Sequence, residues 1–356
     1  RNAAPYQQVI THGFVVDSSG HKMSKSIGNT VEPQTVIEQS GAEVLRLWVA
    51  MVDYREEVKI GQQILARVIE AYRKIRNTLR ILVANLYDFD PTVDALENDQ
   101  LQEVDRYALA RYGQVATRVL QAYDRYEFQS AVHALNHYLT VDLSAFYIDI
   151  SKDRLYTLRP GSNARRSAQT TMHTIVNGLT RLLAPILPIT ADELWRNVPG
   201  TDSDSVHLAD FPSGPESLVD TELLSRWTRL LGLRDAVNGE LEKLRQDKVV
   251  GTSLEASVTL TADGQLANLL DQYRDELSTL FITSEVKVTR GVASDDNGTI
   301  FHDPLGNAGV AVSRVEADKC PRCWRWVRPV HESPNDESDV CDRCLDALSV
   351  TSTPVI

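Results

Sequence analysis

The chain's only four cysteines stand near its end as Cys320-Pro-Arg-Cys323 and Cys341-Asp-Arg-Cys344. Two such pairs joined by a polar loop have the spacing of a closed zinc site. Zinc takes four sulfur ligands in a tetrahedron, and a two-residue gap lets each pair aim both thiolates at one point. The pattern predicts a small metal-stapled fold with Cys320, Cys323, Cys341 and Cys344 as structural ligands, because four thiolates leave no open position for a reacting water. The rival is a pair of disulfides. No secretory leader precedes the cysteines, and Arg1-Asn2-Ala3-Ala4-Pro5-Tyr6 reads as neither a signal peptide nor a start. A reducing, cytoplasmic setting is therefore expected, in a chain that begins inside a longer protein.

At 356 residues the chain exceeds what one core serves, so two or three domains are expected. No apolar run approaches the roughly 20 residues needed to cross a bilayer. The formal net charge of -12 argues, as a sum, against nucleic acid, since phosphate neutralisation dominates such affinity. Its distribution argues otherwise. Between Arg55 and Arg80 seven bases face three acids, and around the first cysteine pair Arg314, Lys319, Arg322, Arg325 and Arg328 face only Glu316 and Asp318. Such focused patches are compatible with RNA, although each is also what a solvated charged face looks like.

Residues 8–16 read as a strand of β-branched and aromatic residues, followed by the turn signal Ser18-Ser19-Gly20. Glu32-Pro33 opens a helical stretch, and from about Gly61 helical periodicity dominates. Three apolar stripes stand out: Leu65 to Leu86, Phe128 to Ile150, and Met172 to Leu182. Thr190 and Glu193 have capping-box spacing for a short helix carrying Leu194 and Trp195. Long helices joined by short loops predict an antiparallel bundle. A further amphipathic helix is expected from about Leu223 to Lys248. Alternation at Ala256–Leu260, Val286–Val288 and Gly309–Val312 then predicts a small α/β module leading into the cysteine pairs.

Lys22-Met23-Ser24-Lys25-Ser26 lies in a basic loop with no apolar period. An exact match to five specified residues in a chain of this length has a chance on the order of one in ten thousand. Two lysines and two hydroxyls on a loop after a strand can close on a triphosphate and neutralise charge as pyrophosphate departs. A solvated basic loop is the plainer alternative.

This constellation resembles the signature loop of class I aminoacyl-tRNA synthetases. Its surroundings, Thr11-His12-Gly13-Phe14, Lys22 through Thr30 and Gly41-Ala42-Glu43-Val44-Leu45-Arg46-Leu47-Trp48, resemble the bacterial isoleucyl members of that family. So do Tyr72 through Thr78, Lys152-Asp153-Arg154, Thr190-Ala191-Asp192-Glu193, Gly251 through Ala256 and Cys320-Pro-Arg-Cys-Trp324.

The resemblance implies a mainly α chain in four parts. These are the end of a class I Rossmann-type catalytic domain over 1–60, an antiparallel anticodon-binding bundle over 61–215, a helix with a small α/β junction over 216–312, and a zinc-binding end over 313–356. It implies an enzyme that ligates isoleucine to its tRNA through isoleucyl-adenylate. Its partners would be ATP with Mg2+, isoleucine and isoleucine tRNA; it would hold one structural Zn2+ and act as a monomer away from membranes. By position, Lys25 contacts the nucleotide, Lys22 supplies supporting charge, and Ser24 and Ser26 shape the loop or touch phosphate. Arg73, Arg76 and Arg80 on a helix face, with Arg322, Trp324 and Arg325 at the knuckle, would meet tRNA, the tryptophan by stacking. The plainer reading of Trp324 and Trp326 is that one of them fills the small core beside the metal.

The family's His-x-Gly-His element has no counterpart, for His12-Gly13 is only a pair within the expected strand. The chain thus reads as a carboxy-terminal portion that does not activate isoleucine alone. A zinc-stabilised RNA-binding or regulatory module, and a valyl member of the family, remain as rivals.

Overall fold

The computed structural model describes residues 4–295, 298–328, 330–333 and 336–349. About 55% of the chain is helical. It divides into two compact units, Arg1–Ile148 with Arg166–Val219, and Asp149–Arg165 with Asp220–Ile356.

In the first unit, β1 (Val15–Val16) pairs in parallel with β2 (Val58–Lys59). The expected strand over residues 8–16 is therefore mostly absent. A strand needs a ladder partner, and β2 supplies one only for its last two residues, leaving Val9, Ile10 and Phe14 exposed. Gly13 lets the backbones meet, because a Cβ there would lie 1.9 Å from the Glu56 carbonyl oxygen. After the lysine loop come α1 (Pro33–Ser40), with proline in its first turn, and α2 (Ala42–Met51), which buries Val44, Leu47 and Trp48.

Next along the chain come the helices α3 (Gln62–Ala84), α4 (Glu103–Asp124), α5 (Phe128–His137), a π-helical stretch over Tyr138–Tyr147, α6 (Ile148–Thr157), α7 (Asn163–Leu183) and α8 (Pro188–Trp195), of which α6 from Asp149 on belongs to the second unit. The three stripes read from the sequence lie inward, with Leu79, Leu82, Leu139, Leu143, Ile175 and Leu179 wholly or almost wholly buried. Inside this apolar body a polar knot is fully satisfied. Asp105 accepts from Tyr147 at 2.7 Å and from Ser167, whose hydroxyl also receives the Gln102 amide at 2.8 Å.

The second unit centres on a four-stranded sheet in the order β4-β3-β6-β5. Its strands are β3 (Ala256–Ala262), β4 (Glu285–Arg290), β5 (Thr299–Asp303) and β6 (Gly306–Arg314). The β3–β4 pair is parallel and the other two are antiparallel. Because β3 and β4 run in parallel, the chain must cross over between them, and α10 (Gly264–Gln272) and α11 (Leu277–Phe281) do so. The long α9 (Thr221–Gln246), capped by Asp220 accepting from the Leu223 amide at 2.9 Å, packs on β5 and β6. Short strands β7 (Asp318–Lys319), β8 (Trp326–Val327), β9 (Val330–Ser333) and β10 (Asp336–Cys341), then α12 (Asp342–Ser349), carry the cysteines. Among the described residues no helix is long and apolar enough to cross a membrane.

Candidate nucleotide-binding loop and metal centre

The lysine loop leaves the end of β1, where Lys22 makes a single antiparallel bridge back to Val16. A turn over residues 24–28 follows, with the Ile27 and Gly28 amides 3.2 Å from the Ser24 carbonyl and Gly28 at a φ of 74° that suits glycine. Ser24 and Ser26 share a hydroxyl hydrogen bond of 2.7 Å. Lys22 and Lys25 are exposed, and among the described residues neither ammonium makes an ion pair or hydrogen bond. The two cations and two hydroxyls expected to serve one site lie on this one loop. The sequence reading missed the side chains that fold the loop, Asp17 and Asn29.

Glu43 was also missed as a polar group of consequence. It is buried on α2 and accepts from the Ile189 amide at 2.8 Å, the Thr190 amide at 3.0 Å, the Thr190 hydroxyl, and Tyr72 of α3 at 3.2 Å. It thereby caps α8, placing a carboxylate at the helix end that favours negative charge. This corrects the expected capping box. Thr190 points to Glu43, and Glu193 pairs with Arg76 at 2.7 Å instead of turning back on its own helix. Arg46, one turn along α2, donates to the Pro185 and Ile186 carbonyls just before α8.

The four cysteine sulfurs lie within 4.8 Å of one another, all buried and none in a disulfide. The Cys323–Cys341 separation is 3.7 Å, far beyond a bonded pair at about 2.05 Å. Four sulfurs each about 2.3 Å from a central ion stand about 3.8 Å apart, so the donor set fits a tetrahedral metal. The thiols are unevenly poised. Burial opposes ionisation of Cys320, but the amides of Cys323, Cys341 and Arg322 outweigh it and bring the thiol down to about 7. Burial, with negative charge at Cys323 and Cys341, pushes Cys344 up. Val340 completes the knot, with Val327, Leu345 and Leu348 packed on it. Neither tryptophan fills this core. Trp324 is 62% exposed, and Trp326 is half-buried beneath Arg314 at 5.6 Å.

Of the arginines expected to meet RNA, Arg73 and Arg80 are exposed on α3, whereas Arg76 is held by Glu193. Arg322 donates to the Thr157 carbonyl at 2.5 Å. Arg325 donates to the Ser278 and Thr279 hydroxyls and lies 3.6 Å from Asp153. Arg343, which the sequence reading passed over, makes a two-pronged contact with the same Asp153, the Nη2 arm at 2.7 Å. That carboxyl is half-buried, and although burial opposes its charge, the Arg343 and Arg325 guanidinium groups hold it below the ordinary carboxylate range.

Comparison with known proteins bears on both regions. The family model described as tRNA synthetases class I (I, L, M and V) matches residues 1–61, and the anticodon-binding domain of tRNA ligase matches residues 105–260. The chain belongs to the class I aminoacyl-tRNA synthetases. Within that class it is similar to the isoleucine–tRNA ligases of Syntrophotalea carbinolica (45% identical over 350 residues), Symbiobacterium thermophilum (46% over 352) and Geobacter sulfurreducens (44% over 348). These alignments take in 97–98% of the chain but 37% of each relative. The chain thus spans little more than a third of the length of the relatives it matches, and corresponds to their carboxy-terminal portion.

Proposed function

We propose that this chain is the carboxy-terminal part of an enzyme that ligates isoleucine to its tRNA through isoleucyl-adenylate. In that reaction the amino-acid carboxylate forms a bond to the α-phosphorus of ATP as the bond to the bridging oxygen breaks and pyrophosphate leaves. Negative charge grows on the departing phosphates, and a cation aimed at them stabilises the transition state. The observation that carries the reading is the pair of exposed ammonium groups of Lys22 and Lys25, unpaired among the described residues, on a loop braced at its base. Lys25 is assigned to the phosphates and Lys22 to supporting charge, with Ser24 and Ser26 shaping the turn. Mg2+ would arrive with the ATP.

Residues 1–60 would close the catalytic domain, 61–215 form the anticodon-binding bundle, 216–312 the junction and 313–356 the metal end. Zinc is the metal that four cysteines in a closed tetrahedron suit best, and its role here would be structural. Bound, it would fix the two cysteine turns, and with them the direction of Trp324. Arg73, Arg80 and Trp324 are free to meet tRNA. Arg76, Arg322 and Arg325 already have internal partners, so their part is to hold the surfaces that do. The chain would not activate isoleucine without the rest of the enzyme, which would work as a cytoplasmic monomer.

The test is isoleucine-dependent ATP–pyrophosphate exchange in the full-length enzyme carrying Lys25→Ala. The expected loss is about a hundred- to a thousandfold, the scale of removing one transition-state donor. Exchange at the parent rate would refute the assignment.

A further inference from the structure

Between β1 and the lysine turn, two side chains account for most of the polar contacts. Asn29 accepts through Oδ1 from the Ser24 amide at 2.8 Å, and donates through Nδ2 to Asp17 Oδ2 at 2.8 Å and to the Lys22 carbonyl at 3.3 Å. Asp17, next after β1, accepts through its other oxygen from the Ser19 and His21 amides, each at 2.9 Å, while its own amide donates to the His21 carbonyl at 2.9 Å. The carboxamide thus ties the backbone on both sides of Met23 to a carboxylate anchored at the strand's end. Among the described residues nothing comparable holds the side chains of Lys22 and Lys25.

We infer that Asn29, braced by Asp17, is a positioning residue for adenylyl transfer: it sets where the backbone of Lys22 through Lys25 sits, and so where the two ammonium groups can reach. The inference rests on the reading that this loop meets ATP. The chemistry of the clasp suits the task. An amide donating to an ionised carboxylate makes a hydrogen bond roughly twice as strong as a neutral one. Asp17 is kept ionised, its carboxyl held below the usual range by the Asn29 bond first and the His21 amide next. The other contacts fixing the 24–28 turn are backbone bonds of 3.2 Å and the Ser24–Ser26 hydroxyl pair, so losing the carboxamide frees the turn as a body. A cation misplaced by about 1 Å loses much of its effect on a transition state, up to about a hundredfold.

The clasp has a polarity that can be reversed. Asn29→Asp sets two carboxylates face to face, and Asp17→Asn sets two amides face to face. In the double variant an amide at 17 again donates to an acceptor at 29, which still receives the Ser24 amide. In the full-length enzyme each single variant should lower kcat for isoleucine-dependent pyrophosphate exchange by about ten- to a hundredfold, with KM for isoleucine and the melting temperature little changed. The double variant should recover most of that loss.

Single variants at the parent rate, or a double variant no faster than the slower single, would overturn the clasp. Asn29→Ala is measured beside them: if it moves KM for isoleucine as much as kcat, the residue is only structural and the proposal fails. Lys25→Ala run in parallel separates the two ideas. If it too is without effect, the reading of the loop is at fault, and if it alone is slow, only the clasp is.

Discussion

The lysine loop and the segment around the first cysteine pair, residues 314–328, are both short and basic, yet they use their charges in opposite ways. Around the cysteine pairs most of the positive residues are turned inward or laid on rings, Arg322 on a backbone carbonyl, Arg325 and Arg343 on Asp153, Arg314 over Trp326 and Lys319 over Trp324, while the exposed Arg328 stands 4.0 Å from Asp318. In the loop the holding is done by a neutral amide and an acid, and both lysines are left without partners among the described residues. A count of charges along the sequence scores both as basic, two lysines against Asp17 in the loop and five bases against two acids around the first cysteine pair. Of these two regions the loop is the one whose cations have no partner among the described residues, and that difference is where experiment can press.

The largest expected effect lies at the metal. Chelation, or Cys320→Ser, should unfold the knuckle from about Asp318 onward. An isolated buried thiol cluster of this size has almost no apolar core to fall back on, and structural zinc carries roughly 10 kcal/mol or more of folding free energy in small modules. Limited proteolysis of the chain and its metal content would show it. A chelated knuckle as protease-resistant as the loaded one would erase the contrast, because the arginine contacts would then suffice. No loop variant should have such an effect on folding. Lys25→Ala is expected to cost activity and leave the melting temperature where it was.

Next comes Asp153, which receives two guanidinium groups. Asp153→Ala leaves Arg343 and Arg325 partly buried without their shared anion, and for a half-exposed pair this should destabilise the second unit by about 2 kcal/mol, between surface and fully buried cases. The pH dependence has a definite sign. The folded carboxyl sits below its unfolded value, so its contribution is complete above the ordinary carboxylate pKa near 3.8 and is lost as pH falls through the lowered folded value. Denaturant titrations of parent and variant should therefore converge on acidification. A gap that persists unchanged at pH 2 would assign the effect to packing instead.

The same contrast governs what could be read in the sequence. The cysteine spacing and the five-residue lysine motif were legible because their chemistry is local. So were the helices whose inward faces are leucine and isoleucine, as in α3 and α7. Helix α4 was not, because much of its buried face is Ala108, Ala110, Gly113 and Ala116, too small to raise a period above background. The strand over 8–16 was over-read, since its composition says nothing of how long a partner β2 would be. The capping box failed because Glu43, far away in sequence, satisfies the α8 amides first. Asn29 and Asp17, like Asp153 and Arg343, act through polar contacts at separations that no periodicity encodes.

The smallest effect on stability, and the sharpest test of the knuckle's outward side, concerns Trp324. Its backbone has a φ of 65°, a left-handed conformation that a bulky residue adopts at a cost of about 1–2 kcal/mol, and its ring is 62% exposed. Burial cannot offset that cost here, and the Lys319 ammonium, 5.5 Å from the ring centre at an exposed site, is worth at most about 1 kcal/mol. Asparagine tolerates the same backbone well. Trp324→Asn should thus leave melting within about 0.5 kcal/mol of the parent, since relief of strain balances the lost ring contact. If the ring is there to stack on a base, binding of isoleucine tRNA to the full-length enzyme should weaken by about 1–3 kcal/mol, roughly five- to 150-fold, with little change in salt dependence because no cation is removed. Loss of several kcal/mol of stability would make the ring structural after all and bring Trp324 into line with Arg322, Arg325 and Arg343. Unchanged affinity would leave the exposed, strained tryptophan without a purpose in RNA binding.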